Sequence, residues 1–193
     1  MATSDNVAEL YDIKRQILVH EANKWVGIQE TSNNKGAEVE MFQKAVDGKA
    51  QGEPWCCCFI QFCLNQVDSE IDKAVKIIHD RSWIYKTELC AAVWAKTPIE
   101  ARIRDPEPGC LVVWGYELNG KPTGKGHIGI VERIGENTLY TIEGNTGPSS
   151  NEIKREGDGV YRKTRPRHSG IGNMKLVGFL RCWPNKEFDL TIH

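Results

Sequence analysis

The chain has no apolar run of 18 residues in its 193, which excludes a membrane-spanning helix, and Met1 to Arg15 lacks the basic and apolar blocks of a signal peptide. It has almost no net charge, −1, which argues against nucleic acid as the main partner. Neither a C-x2-C pair nor an H-x3-H pair is present, so the usual zinc spacings are missing and no metal or other cofactor is expected. There is no internal repeat and no low-complexity linker. Seven cysteines, an odd number with three adjacent, do not make a disulfide framework and suit a reducing site of synthesis. With 40% hydrophobic and 26% charged residues, the expectation is one globular domain over residues 1–193, with a short polar tail after about 184. The protein is expected to be a monomer made in the cytoplasm.

The most informative stretch present is Pro54-Trp55-Cys56-Cys57-Cys58-Phe59-Ile60-Gln61-Phe62-Cys63. Proline suits the first position of a helix, so the spacing predicts a helix over Pro54 to Val67 with Cys56 in its first turn. There the unpaired N–H groups and the positive end of the helix dipole favour thiolate, the form that attacks carbonyl carbon. Phe59, Ile60 and Cys63, three, four and seven residues on, form the apolar stripe that buries this face. Cys57, Cys58 and Cys63 read as small buried hydrophobes.

A reactive cysteine needs a base. His127 opens Gly126-His127-Ile128-Gly129-Ile130-Val131-Glu132-Arg133-Ile134, which alternates as a strand; a turn at Gly135-Glu136-Asn137 leads to a second strand ending in Glu143-Gly144-Asn145. In a hairpin centred near Glu136, His127 faces a residue between Gly144 and Thr146. Asn145 is then opposite or adjacent, and Glu143 is a diagonal neighbour on the same face. Either could hold one ring nitrogen and leave the other to take the thiol proton.

These three segments resemble, in order and spacing, the signatures of CHAP-domain cysteine amidohydrolases and peptidases, within the papain-like NlpC-type superfamily. Gly27-Ile28-Gln29-Glu30 with Asn33-Asn34-Lys35-Gly36 is similar to the family's opening loop. Pro106-Glu107-Pro108-Gly109-Cys110 is similar to one of its strands, with Cys110 where aspartate is common. The resemblance implies an α+β, papain-like fold, with the nucleophile at a helix N-terminus packed on an antiparallel sheet. It implies Cys56 as nucleophile, His127 as base, and Glu143 or Asn145 as the residue that orients the imidazole. It also implies bacterial peptidoglycan as substrate, cleaved at the muramoyl–L-alanine amide or at a peptide bond. Such an enzyme would act on the wall after release, as an endolysin served by a holin-type partner or as a secreted antibacterial effector. A small-molecule amidase and a non-catalytic binding module of the same fold are the rival readings.

Along the chain, Asp5 is placed to cap a helix running to Trp25, and helices are expected over Glu38 to Val46, Ile71 to His79 and Tyr85 to Ala95. Strands are expected over Cys110 to Tyr116, His127 to Ile134, Thr138 to Glu143, Gly159 to Thr164 and Lys175 to Arg181. Gly115 to Lys125 and Thr146 to Asp158 read as mobile loops. The late basic run, Lys154, Arg155, Arg162, Lys163, Arg165, Arg167 and His168, reads as a solvated face, with contact to an anionic wall polymer as the sharper alternative.

Overall fold

The computed structural model describes residues 4–74, 81–149 and 157–183. Among these are four helices, α1 Ser4–Asn23, α2 Ala37–Asp47, α3 Cys56–Ala74 and α4 Cys90–Lys96. Six strands follow: β1 Arg102–Ile103, β2 Leu111–Leu118, β3 Lys121–Ile134, β4 Thr138–Thr146, β5 Gly159–Pro166 and β6 Met174–Leu180. The strands form one antiparallel sheet in the order β1-β6-β2-β3-β4-β5. Helices that precede a meander and pack on its face make an α+β, papain-like architecture.

Both sheet faces are covered. Leu111, Val113, Ile128, Ile130 and Ile142 pack with the helices, whereas Val112, Trp114, Val131, Leu139 and Phe179 form a second cluster on the far side with Ile171 and Met174. This is why β2 starts with four consecutive buried residues, where a one-sided sheet would alternate.

Helix α3 is buried on every side of its first turns. Phe59, Ile60 and Cys63 are buried as the stripe predicts, and Cys57, Cys58, Phe62 and Leu64 are buried too, because the sheet lies on one side and α1 and α2 on the other. Phe42 of α2 is the hub of that contact. Its ring meets Trp25, Trp55, Phe59 and Phe62 at centroid distances of 5.1–5.6 Å. Asp68, inside α3, accepts from the Trp183 indole at 2.9 Å and from the Ser82 backbone at 3.0 Å, so the helix is tied to the chain after β6 as well.

Several boundaries differ from expectation. Asp5 falls inside α1, which runs from Ser4. Ile71–Ala74 continues α3, and the rest of the helix expected there lies outside the described residues. Residues from Tyr85 to Leu89 are not helical, because Thr97 and Thr87 hydroxyls take the backbone N–H groups of Tyr85 and Leu89 and compete with helix formation; α4 starts only at Cys90. Gly115 to Lys125 is no loop but the continuation of β2 and β3 through a turn at Asn119 and Gly120.

Gly144 sets how closely sheet and helix approach. A Cβ there would lie 2.7 Å from Phe59 Cβ and 2.9 Å from the Trp55 ring. Gly144→Ala is therefore expected to lower unfolding free energy by about 1–3 kcal/mol, the range for overpacking a core. Urea denaturation of the variant measures it; an unchanged midpoint would contradict this contact.

Candidate active site

Helix α3 begins two residues later than proline placement suggests. The Trp55 carbonyl accepts the first helical bond, from Phe59 N–H at 2.9 Å, so Cys56 is the first helical residue and Pro54 lies outside. The chain ahead is pinned by side chains. Buried Gln43 donates to the Glu53 carbonyl at 2.8 Å, and Glu30 accepts from the Trp55 indole at 2.6 Å and from Asn34 N–H at 2.8 Å. The G-x-x-E loop thus holds the tryptophan before the thiol. No acidic side chain occupies the first turn of α3, which leaves its positive end to Cys56.

The β3–β4 hairpin has the anticipated register, Ile130 opposite Ile142 and Val131 opposite Thr141. Beyond that pair Glu143 lies over Gly129, and Asn145, at positive φ, leaves the regular register. Gly129 has no side chain, and Glu143 fills that space, its Cγ 2.7 Å from where a Cβ would stand. The carboxylate thereby reaches diagonally to His127, Oε2 to Nε2 at 2.9 Å. Asn145 does something else. At φ 54°, and with its amide assigned the orientation that pairs both ends, its oxygen accepts from Trp55 N–H at 3.1 Å and its nitrogen donates to the Gly157 carbonyl at 2.9 Å, so it fastens the end of β4 to the start of α3. Glu143 contacts the imidazole and Asn145 supports the backbone just before Cys56.

Glu143 is fully buried with every acceptor position used. Oε1 accepts from Thr141 Oγ1 at 2.6 Å and Arg165 Nε at 2.8 Å; Oε2 accepts from Arg165 Nη2 at 2.6 Å and shares the His127 contact. Arg165 stands opposite Leu139 in β5, on the same sheet face as Thr141 and Glu143. The expectation of a solvated basic run is corrected here: Arg165 and Lys163 are 1% and 2% exposed, and Lys163 donates to the Gly147 carbonyl at 2.6 Å. Alternation along β5 could have revealed them, since Lys163 and Arg165 are two apart and share a face. Lys154 and Arg155 lie outside the described residues.

Burial alone would raise the Glu143 pKa, but the Arg165 hydrogen bonds and the His127 contact overcome it and hold the carboxyl at about 2. Burial would likewise lower His127; hydrogen bonds to Cys56 and Glu143, with their charges, raise it to about 9. With Nε2 on Glu143, Nδ1 is the ring nitrogen left for the thiol. Cys56 is held well below an ordinary thiol, first by hydrogen bonds from the thiols of Cys57 and Cys90, then by His127. Cys58 and Cys63 are raised by burial and stay neutral. A thiol held low beside an imidazole held high is a pair whose shared proton is drawn toward the ring. Such a pair can attack a carbonyl and protonate the departing amine.

Cys90 was not foreseen. It enters from the first turn of α4, with Sγ 3.0 Å from Cys57 Sγ and 3.6 Å from Cys56 Sγ. The three sulfurs lie within 4.8 Å of one another, close enough for a thiophilic cation. Only long-range packing brings Cys90 here, so no local signal marks it.

A CHAP domain profile matches residues 48–145, just over half of the chain, and the protein belongs to that family. CHAP domains are in general cysteine-dependent amidases or peptidases and typically act on peptidoglycan. No curated protein and no solved structure gives a match. Among the described residues no helix is long and apolar enough to cross a membrane.

Removing Arg165 should expose how much it holds. Arg165→Met leaves a buried carboxylate underpaired and should cost about 3–5 kcal/mol, and Arg165→Lys should not fully restore this because it lacks the bidentate fork. Because Glu143 is depressed in the folded state, its contribution is present above the ordinary carboxylate range and is lost as pH falls toward about 2. Acid unfolding of Arg165→Met should begin at higher pH than in the parent, which circular dichroism across pH 2–7 reads directly.

Proposed function

We propose that this protein is a peptidoglycan hydrolase of the endolysin type that cleaves an amide or peptide bond of the wall by acyl transfer through Cys56 and His127. The observation that carries this is the meeting of a thiol at the start of α3 with an imidazole whose far nitrogen is fixed by a buried carboxylate.

The Cys56 thiolate attacks the carbonyl carbon. N–H groups of the first turn of α3, which have no carbonyl four residues back within the helix, face the developing oxyanion, that of Cys56 foremost. His127, protonated on Nδ1, gives its proton to the leaving amine and the thioester remains. The neutral imidazole then takes a proton from water, which attacks the thioester and frees Cys56. Glu143 keeps the ring in place and stabilises its charged form, while Arg165 and Thr141 hold Glu143. Asn145 is a positioning residue acting through Trp55.

Purified peptidoglycan digested with the protein and examined by mass spectrometry tests the reading. New muramic-acid ends identify amide cleavage and new peptide amines identify endopeptidase cleavage; release of neither would overturn it. Cys56→Ser and His127→Ala should each abolish release while thermal unfolding persists as a cooperative transition.

Glu143 and Asn145 separate by pH profile. Glu143→Gln removes the charge that raises His127, so the alkaline limb of kcat/KM, expected near the imidazolium value of about 9, should move to lower pH. Its kcat/KM should fall by roughly 10- to 1000-fold. Asn145→Ala should lose less and leave the alkaline limb where it was. The reverse pattern would make Asn145 the orienting group.

A further inference from the structure

The acyl-transfer reading gives Cys57 and Cys90 no chemical step, yet their sulfurs are the nearest pair in the cluster. At 3.0 Å they need close by only about 1 Å to reach disulfide bonding distance, and Cys90 needs about 1.5 Å to reach Cys56. Cys90 is in the first turn of α4 and packs against Gly126, the residue before His127. It can therefore approach either neighbour by a small rotation. All three residues are buried, Cys56 at 6% exposure, Cys57 at 1% and Cys90 at 4%, and Cys56 is the thiol beside His127 and so the one a peroxide oxidises first.

We propose that Cys57 and Cys90 are a resolving dithiol that removes oxidation from Cys56, giving the protein a peroxide-reducing half-reaction beside its hydrolase activity. The inference rests on reading Cys56 as the nucleophile. In the first step the Cys56 thiolate attacks one oxygen of a peroxide; the O–O bond breaks, sulfur is oxidised to sulfenic acid, and the departing hydroxide takes the His127 proton to leave as water. In the second, Cys90 sulfur attacks Cys56 sulfur. The S–O bond breaks, hydroxide departs with the Cys90 proton as a second water, and a Cys56–Cys90 disulfide remains. In the third, Cys57 attacks Cys90 sulfur and displaces Cys56 as thiolate, its own proton passing to His127. The net change is two thiols and one peroxide to one disulfide and two waters, with Cys56 returned to its starting form.

The direction of the third step follows from the leaving group. In the mixed disulfide Cys90 has no S–H to donate, so the group that favours Cys56 as the departing thiolate is His127, whose hydrogen bond and charge lower that thiol, whereas burial raises Cys57 and Cys90. The lower-pKa thiol leaves faster, so exchange runs toward Cys57–Cys90. Formation of the sulfenic acid removes the negative charge that held the Cys90 proton, which frees Cys90 to attack.

The test treats the full chain, with a chelator present, with one equivalent of hydrogen peroxide, then blocks remaining thiols with N-ethylmaleimide in denaturant. Mass spectrometry of the tryptic peptides 50–73 and 87–96 then locates every sulfur but Cys110 and Cys182. The expected product is a cross-link between these peptides at Cys57 and Cys90, with Cys56 carrying maleimide and wall hydrolysis at the untreated rate. In Cys57→Ser the cross-link should stop at Cys56–Cys90, with hydrolysis lost and returned by dithiothreitol. In Cys90→Ala, given excess peroxide because the second oxidation takes a second equivalent, Cys56 should proceed to sulfinic acid and hydrolysis should not return with dithiothreitol. No cross-link to Cys90 in the parent while Cys56 oxidises, or sulfinic acid forming equally with and without Cys90, would overturn the inference. The peptide map of the parent decides alone if the variants do not fold. A cross-link in a chain that cleaves no wall would leave this inference standing and remove the hydrolase reading; hydrolysis without the cross-link would do the opposite.

Discussion

A single buried carboxylate organises the site. Glu143 lies in the sheet with no solvent contact, and an ion so placed is tolerable only when its hydrogen bonds are complete. Arg165 supplies two, Thr141 one and His127 the last. The imidazole is therefore the variable member of a set whose other members are fixed by β4 and β5. Its orientation and its charge are consequences of that arrangement, and the low-pKa state of Cys56 depends partly on its charge in turn. Trp114 stacks beside the ring at 6.1 Å, which limits its rotation.

The sheet and the helix are registered against each other with equal care. Gly144 lets β4 touch Phe59 and Trp55, Asn145 reaches from the same strand end to Trp55 N–H, and Glu30 holds the Trp55 ring from the opening loop. Three consecutive residues of β4 thus serve three purposes: a charge for the histidine, clearance for the helix, and a bond to the helix start. A shift of one residue in the hairpin would turn Glu143 toward the helix core and leave Arg165 without its partner.

Much of this was legible in the chain. Period-two alternation from His127, with the turn at Gly135 to Asn137, gave the register that brings Glu143 to His127, and the helical stripe from Cys56 gave α3. What local pattern could not give was the choice between Glu143 and Asn145, which depends on Gly129 leaving a gap and on Trp55 presenting an N–H. Arg165 was hidden by composition: a basic run is usually solvated, and only the carboxylate it meets makes its burial favourable. Arg165 also lies beyond the matched segment 48–145, so the family signature does not include it. Cys90 was hidden by distance, since it is 33 residues from Cys57 and reaches it only through the packing of α4.

The central proposal is that the groups gathered around Cys56 favour its thiolate over its thiol. The rate of iodoacetamide labelling at each cysteine of the folded protein, followed from pH 5 to 10 by mass spectrometry, tests it most directly. The account predicts that Cys56 is labelled ahead of every other cysteine and that its rate is already level at neutral pH. Preferential labelling of Cys57, or a Cys56 rate still climbing through the range of an ordinary thiol, would contradict it.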